Sequence, residues 1–261
     1  METAQNSGFA TGIVTTASVI DATPGAFYAH AYNRYIQDSV LSNFMKCKVD
    51  FIIGGGKKYF DGTDSDSRYV LSDLKNRGFE VYDALNYPVQ DISTSPSKRV
   101  LCFTGAESAL LHSLGFDHLS IASDKAINYL NRKADRYFLM IEGAQIDWAG
   151  HARNTDELLL RMDGFDKALK TVIKKALKEK DTLVLVTADH ATGGMTIHEG
   201  SKKGNLKLDF STNAHTGTMV PIFAIGPGAE NFKGVMDNTE IYTKMMSLLD
   251  LNKTQDTITQ N

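Results

Sequence analysis

At 261 residues the chain is sized for one large domain or two small ones, and 42% apolar with 23% charged residues excludes a disordered or fibrous class. A formal charge of -3 and a pI of about 6.2 give no electrostatic reason for nucleic acid or an anionic membrane as partner. No apolar run is long enough to span a bilayer, and METAQNSGFATG has neither the basic nor the apolar part of a signal peptide.

In chain order, ETAQNSG reads as a helix end stopped at Gly8, and a domain that opens inside a helix points to missing upstream material. Apolar, β-branched runs follow: GFATGIVTT ending near Thr16, VDFIIGGG over 49–56, FEVYDAL over 79–85 and RVLCFTG over 99–105. YFLMIEG then ends at Gly143, TLVLVTAD at Asp189, and VPIFAIG occupies 220–226. Such near-continuous runs fit strands covered on both faces. Between the early strands, Thr23 and Pro24 suit the N-cap and first position of a helix GAFYAHAYNR. Leu158, Leu159, Met162, Phe165, Leu169, Val172, Ile173 and Ala176 recur at helical steps from Asp156 to Glu179. Residues 190–219 form a Gly-, Ser- and Thr-rich excursion with room for one short hairpin. Asp237 and Glu240 suit a capping box for a last helix, and 251–261 is a polar tail.

The expected fold class is α/β: a three-layer α/β/α arrangement with a central, mostly parallel sheet, in a single domain over 1–250. Cys47 and Cys102 sit beside strand-like runs and read as reduced core thiols. The triple glycine 54–56 lacks the Lys-Ser/Thr of a nucleotide loop and the spacing of a dinucleotide fingerprint, so it reads as tight backbone passage.

Ligands in such folds bind beyond the carboxyl ends of strands. There the chain places Glu142, then Asp147 and His151 four residues apart, then adjacent Asp189 and His190, with His215 in the excursion. Carboxylate oxygen with imidazole nitrogen is a normal zinc shell, and an all-oxygen shell suits magnesium. A metal pair can clamp the attacking and leaving oxygens of a phosphoryl transfer. Singly, each residue has another use: Asp147 and Asp189 as turn caps, Glu142 as a solvated strand end, His190 and His215 as hydrogen-bonding histidines. Spacing alone therefore leaves a metal centre and its reaction open. His118 and His198 read as non-ligands, and Trp148 as a local packing group or a wall of the site.

DATPGAFYAHAYNR, IEGAQIDWAGH, VTADHATGG and AHTGT, in this order, closely resemble the alkaline phosphatases, over nearly the whole chain. The resemblance implies phosphate-monoester hydrolysis by an alkaline-phosphatase-like α/β domain with two Zn2+ and one Mg2+. Asp147, His151 and His215 would hold the zinc that activates water, and Asp189 and His190 the zinc that activates a serine nucleophile. Glu142 and Thr23 would ligate magnesium, with Asp21 reaching it through water, and Arg34 would fork onto the phosphate. Phosphate monoesters and inorganic phosphate are the implied small-molecule partners, with a homodimer and a periplasmic or secreted location for an exported precursor.

The departure lies at the front. Relatives carry, upstream of the strand matching GFATGIVTT, a metal-bridging aspartate and an Asp-Ser-Ala segment bearing the nucleophile, and these residues begin after both. Asp38-Ser39, Asp64-Ser65 and Asp66-Ser67 are not preceded by that segment; the first is expected inside or just past the Arg34 helix, and none reads as the nucleophile. The expectation is an N-terminally incomplete phosphatase, weakly active or inactive, with apolar sheet edges exposed. The alternatives are a non-catalytic metal- or phosphate-binding remnant or partner subunit, and another hydrolase of the wider superfamily, such as a phosphodiesterase, sulfatase or phosphoglycerate mutase.

Overall fold

The early apolar runs become strands, and those at β1, β2 and β4 are buried almost throughout. In the computed structural model, which describes residues 1–62, 69–93 and 95–251, α1 (Glu2–Asn6) passes through Gly8, at φ 82°, into β1 (Ala10–Ser18). After α2 (Ala22–Tyr28) and α3 (Gln37–Lys46) comes β2 (Phe51–Gly55), and after α4 (Leu71–Asn76) comes β3 (Phe79–Asp83). β4 (Arg99–Phe103), α5 (Leu111–Leu114), α6 (His118–Lys133) and β5 (Tyr137–Glu142) complete this part. The five strands pair in the order β3-β4-β2-β1-β5, every neighbour parallel.

Alternation along the strands sorts the core into two layers. Ile13, Ile52, Leu101 and Met140 are in register across β1, β2, β4 and β5, and pack with Tyr28 of α2, Phe44 of α3 and Leu74 of α4. Gly12, Phe51 and Leu139 form the adjacent row, which faces α6: the Phe51 and Tyr129 rings lie 5.0 Å apart. Gly12 lets that helix come close, since a Cβ there would sit 3.0 Å from Leu130 Cδ1. The expected parallel sheet between helical layers is thus present, with apolar burial as its main driving force.

The triple glycine is a tight passage. A Cβ on Gly55 would strike the backbone of Glu107 and Ser108, and Gly56 turns at φ 100°. Cys47 and Cys102 are free thiols, as expected; burial pushes the Cys102 thiol up to about 12, out of reach of ordinary redox chemistry.

The start of α2 departs from the expectation. Asp21, not Thr23, is the N-cap, accepting a hydrogen bond from the Ala22 amide at 2.7 Å, and Thr23 and Pro24 fall inside the first turn. Aspartate caps as well as threonine, and proline is tolerated throughout a first turn whose amides have no intrahelical partner. The helix stops at Tyr28, so Arg34 lies in a loop where the Asn33 side chain accepts from the Tyr35 amide at 2.9 Å. Asp38-Ser39 consequently sits in the first turn of α3 rather than in or after a helix bearing Arg34.

Met1–Gly143 with the residues from Leu251 make one compact unit, and Ala144–Asp250 make a second. The second opens with α7 (Gln145–His151) and α8 (Thr155–Glu179), whose N-cap Asn154 accepts from the Glu157 amide at 3.1 Å. Then come β6 (Val184–Val186), β7 (Ala191–Thr192), β8 (Met195–Ile197), β9 (Leu208–Phe210), β10 (His215–Thr216) and β11 (Phe223–Ile225). They form three antiparallel pairs: β6 with β11, β7 with β10, and β8 with β9. The excursion therefore holds the expected hairpin, and one short ladder besides. α9 (Asn238–Leu248) closes the unit with the Asp237–Glu240 capping box in place. The polar tail beyond Leu251 and the pairs Asp64-Ser65 and Asp66-Ser67 lie outside the described residues.

Candidate metal centre

One turn of helix brings the first two donors together. In α7, Asp147 and His151 share a face, and His151 Nε2 lies 3.3 Å from Asp147 Oδ2. The third donor comes from sequence far away. In the short β7–β10 ladder His215 stands opposite Thr192, which carries its Nε2 to 3.6 Å from Asp147 Oδ1 and 3.0 Å from His151 Nε2. Among the described residues, Asp147, His151 and His215 form the one group of three or more such side chains close enough to share an ion.

The spacing suits zinc. With metal–ligand bonds of about 2.0–2.1 Å, tetrahedral donors stand about 3.3 Å apart. The imidazole nitrogens lie 3.0 Å apart, and the nearer Asp147 oxygen is 3.3 Å from His151 (Oδ2) and 3.6 Å from His215 (Oδ1), close to that value. One carboxylate and two imidazoles form a mixed N/O set of the kind zinc takes, whereas magnesium prefers oxygen alone. The orientation is also right. His151 Nδ1 donates to the Asn213 carbonyl at 2.7 Å, which leaves the lone pair on Nε2, the atom facing the other two donors.

Asp189 and His190 lie against this group. His190 Nε2 is 3.1 Å from Asp189 Oδ2, and its ring stacks on His215 with centroids 3.6 Å apart. Its Nδ1 is 4.0 Å from Asp147 Oδ1. The Asp189 side chain is 74% exposed, and that of His190 28%.

The remaining expected residues belong to the first unit. Asp21 Oδ1, besides capping α2, is 2.9 Å from Arg34 Nη2, and the guanidinium lies over the Tyr35 ring at 5.5 Å from its centroid. Thr23 is half-buried in α2. Glu142, last residue of β5, accepts from the buried Thr15 hydroxyl at 2.5 Å, directly across the β1–β5 register. Asp21 and Glu142 thus follow the carboxyl ends of parallel strands, the position expected of ligand-binding groups.

Two supporting groups were not singled out from sequence. The Thr192 hydroxyl donates to Asp147 Oδ1, and its oxygen lies 3.3 Å from His190 Nδ1. The Asn213 carbonyl orients His151. Thr192 sat in ATGG, read as a turn, and only the pairing of β7 with β10 reveals its neighbours. His198, paired instead with Asp209 at 3.6 Å, and buried His118 stand outside the donor group.

A family model described as alkaline phosphatase matches residues 1–208 and 200–251. Alkaline phosphatase 3 of Bacillus subtilis (strain 168) is 28% identical, over 97% of this chain and 70% of that protein. That alignment runs over 332 positions, more than the 261 residues present here, so the relative carries internal residues without a counterpart in this chain. Among solved structures, the alkaline phosphatase from the Antarctic bacterium TAB5 superposes with a TM-score of 0.87 at 36% identity, over 96% of this chain and 75% of that one. A point mutant of that enzyme, with Mg bound in its M3 site, matches at TM-score 0.85 and 34% identity.

Proposed function

The chain belongs to the alkaline phosphatase family of phosphomonoester hydrolases, and from that membership we propose that Asp147, His151 and His215 hold a zinc ion for the hydrolysis of phosphate monoesters. The observation that carries this reading is the convergence of one donor atom from each of the three residues within 4.8 Å of one another. Asp189 and His190 serve a second zinc beside the first, while Glu142, Thr23 and Asp21 serve magnesium. A bound zinc pair would polarise the phosphoryl group and lower the pKa of an attacking oxygen. In the protein's own part, His151 keeps its lone pair on Nε2 through the Asn213 contact, and Arg34 offers a guanidinium fork to phosphate oxygens. Phosphate monoesters and inorganic phosphate are the ligands of this reading, with homodimer assembly and export as its family-level corollaries. Among the described residues no helix is long and apolar enough to cross a membrane.

The 261-residue polypeptide itself is expected to turn over weakly. None of its Asp-Ser pairs is read as the nucleophile, and in the first turn of α3 Asp38 is exposed and Ser39 half-buried. Hydrolysis of a chromogenic phosphate monoester by the purified chain, loaded with zinc and magnesium, tests this beside an Asp147→Ala/His215→Ala double variant. The expected result is turnover at least about 100-fold below that of the Bacillus subtilis relative, since none of the Asp-Ser pairs is read as the nucleophile, and none above background in the variant. Turnover matching the relative would refute the weak-activity reading. Turnover undiminished in the variant would refute the zinc assignment.

A further inference from the structure

We propose that Thr192 is a positioning residue that ties the two halves of the zinc centre together. Its hydroxyl would set both the Asp147 carboxylate and the tautomer of His190. The proposal rests on the zinc reading above and goes beyond it, because Thr192 is not one of the proposed ligands.

The proton count makes the argument. A threonine hydroxyl has one proton and two lone pairs, and an ionised carboxylate only accepts. With the Thr192 proton directed at Asp147 Oδ1, the 3.3 Å contact between the Thr192 oxygen and His190 Nδ1 is a hydrogen bond only if Nδ1 carries the ring proton. That leaves the lone pair of His190 on Nε2, the atom 3.1 Å from Asp189 Oδ2, so one metal could take both groups. A single hydroxyl thereby reads across from the Asp147 cluster to the Asp189–His190 pair. Carboxylates, backbone carbonyls and waters behind ligating imidazoles commonly act this way, and here a hydroxyl takes that place.

Packing holds the hydroxyl in place. Thr192 lies in β7, opposite His215, so the residue facing it across the ladder is itself a donor. Its methyl side rests on α7: a Cβ added to Gly150 would come within 3.2 Å of Thr192 Cβ and of Cγ2. Gly150 lies between the donors Asp147 and His151, so the glycine opens the space in which Thr192 meets the ligand-bearing turn. The hydroxyl and the methyl thus do separable jobs, which makes the proposal testable by substitution.

T192V keeps the branched shape against Gly150 and loses the hydroxyl; T192S does the reverse. Zinc uptake by the 261-residue chain and by each variant is measured by competition with a chromophoric chelator, with far-UV circular dichroism to follow folding. The wild-type chain is expected to bind two zinc ions, T192V to bind both about 10–100-fold more weakly, and T192S to stay within about threefold of wild type. Long-range 1H–15N spectra of the metal-free chain should show His190 protonated on Nδ1 in wild type and T192S, and mixed tautomers in T192V. Wild-type affinity and an unchanged His190 tautomer in T192V would overturn the proposal while leaving the zinc reading intact. T192S as weak as T192V would overturn it too, since packing would then be the cause. Should T192V not fold, T192A against T192S makes the same comparison. A wild-type chain that takes up no zinc would overturn both readings.

Discussion

Every residue of β1 except Ser18, and all of β2, is shut away from water, whereas all of β8 and part of β9 and β11 face it. The parallel sheet is held by apolar burial on both faces, and its rows of Ile, Leu and Phe interlock with helices on either side. Beyond Gly143 the strands are two or three residues long and Phe223 is 64% exposed, so short ladders and side-chain hydrogen bonds do more of the ordering. The donors sit in this thinner part. On the zinc reading the ligating side chains need polar partners, which a layer like that of β1 and β2 does not offer; the difference is one between a region ordered by apolar burial and one ordered by local hydrogen bonds.

The sharpest way to test that contrast is to remove apolar volume from each region. Phe44, fully buried between the Tyr28, Phe60 and Phe79 rings, should cost about 3–5 kcal/mol when changed to Ala. Leu159→Ala, at a position of α8 that is 38% exposed, should cost less than about 0.5 kcal/mol. Urea unfolding measures both, and equal losses would dissolve the distinction.

A pH-dependent contrast comes next in size. His118, 3% exposed at the start of α6, is held by burial down to about 4 against an ordinary 6.5, despite the pull of Asp117 in the other direction. The folded chain keeps this ring neutral, while the unfolded chain takes up a proton below about 6.5. Its contribution is therefore complete above pH 6.5 and is lost as pH falls toward 4. Between pH 7 and pH 4.5 that amounts to roughly 2–3 kcal/mol. A His118→Leu chain should lack this part of the acid sensitivity; urea midpoints with the same pH slope in both chains would remove His118 as its source.

Apart from the Leu159 control, the smallest expected effect tests how far local hydrogen bonds support the second unit. Asn154→Ala removes the cap of α8 and should cost about 1 kcal/mol. No measurable change in the unfolding midpoint would mean that the first turn of α8 does not need it.

Much of the sheet was legible because burial on both faces leaves a mark in sequence: near-continuous runs of apolar and β-branched residues at β1, β2 and β4, and glycines where backbone meets backbone. The long helix and the last capping box were equally plain. Asp147 and His151 could be paired from their four-residue spacing alone. His215 could not, since its approach depends on the two-residue β7–β10 ladder, whose residues Ala191, Thr192, His215 and Thr216 carry no strand pattern. The start of α2 was misjudged for a related reason: Asp21 and Thr23 are both good caps, and the choice between them is made by the hydrogen bond that Asp21 accepts from Ala22. Thr192 was invisible until its neighbours were known.

The hairpin of β8 and β9 has a consequence for how this family changes length. The two stretches that match the family model meet at 200–208, which spans the turn between these strands. The strand ends are clamped by the register of Met195 with Phe210 and Ile197 with Leu208, and that ladder stands between the turn and the donors. Growing a clamped turn costs only about 0.6 kcal/mol for each doubling of its length. Evolution could therefore splice tens of residues into, or out of, this surface turn for an entropic cost of about 2 kcal/mol, and the candidate donors on α7 and β10 would register little of the change.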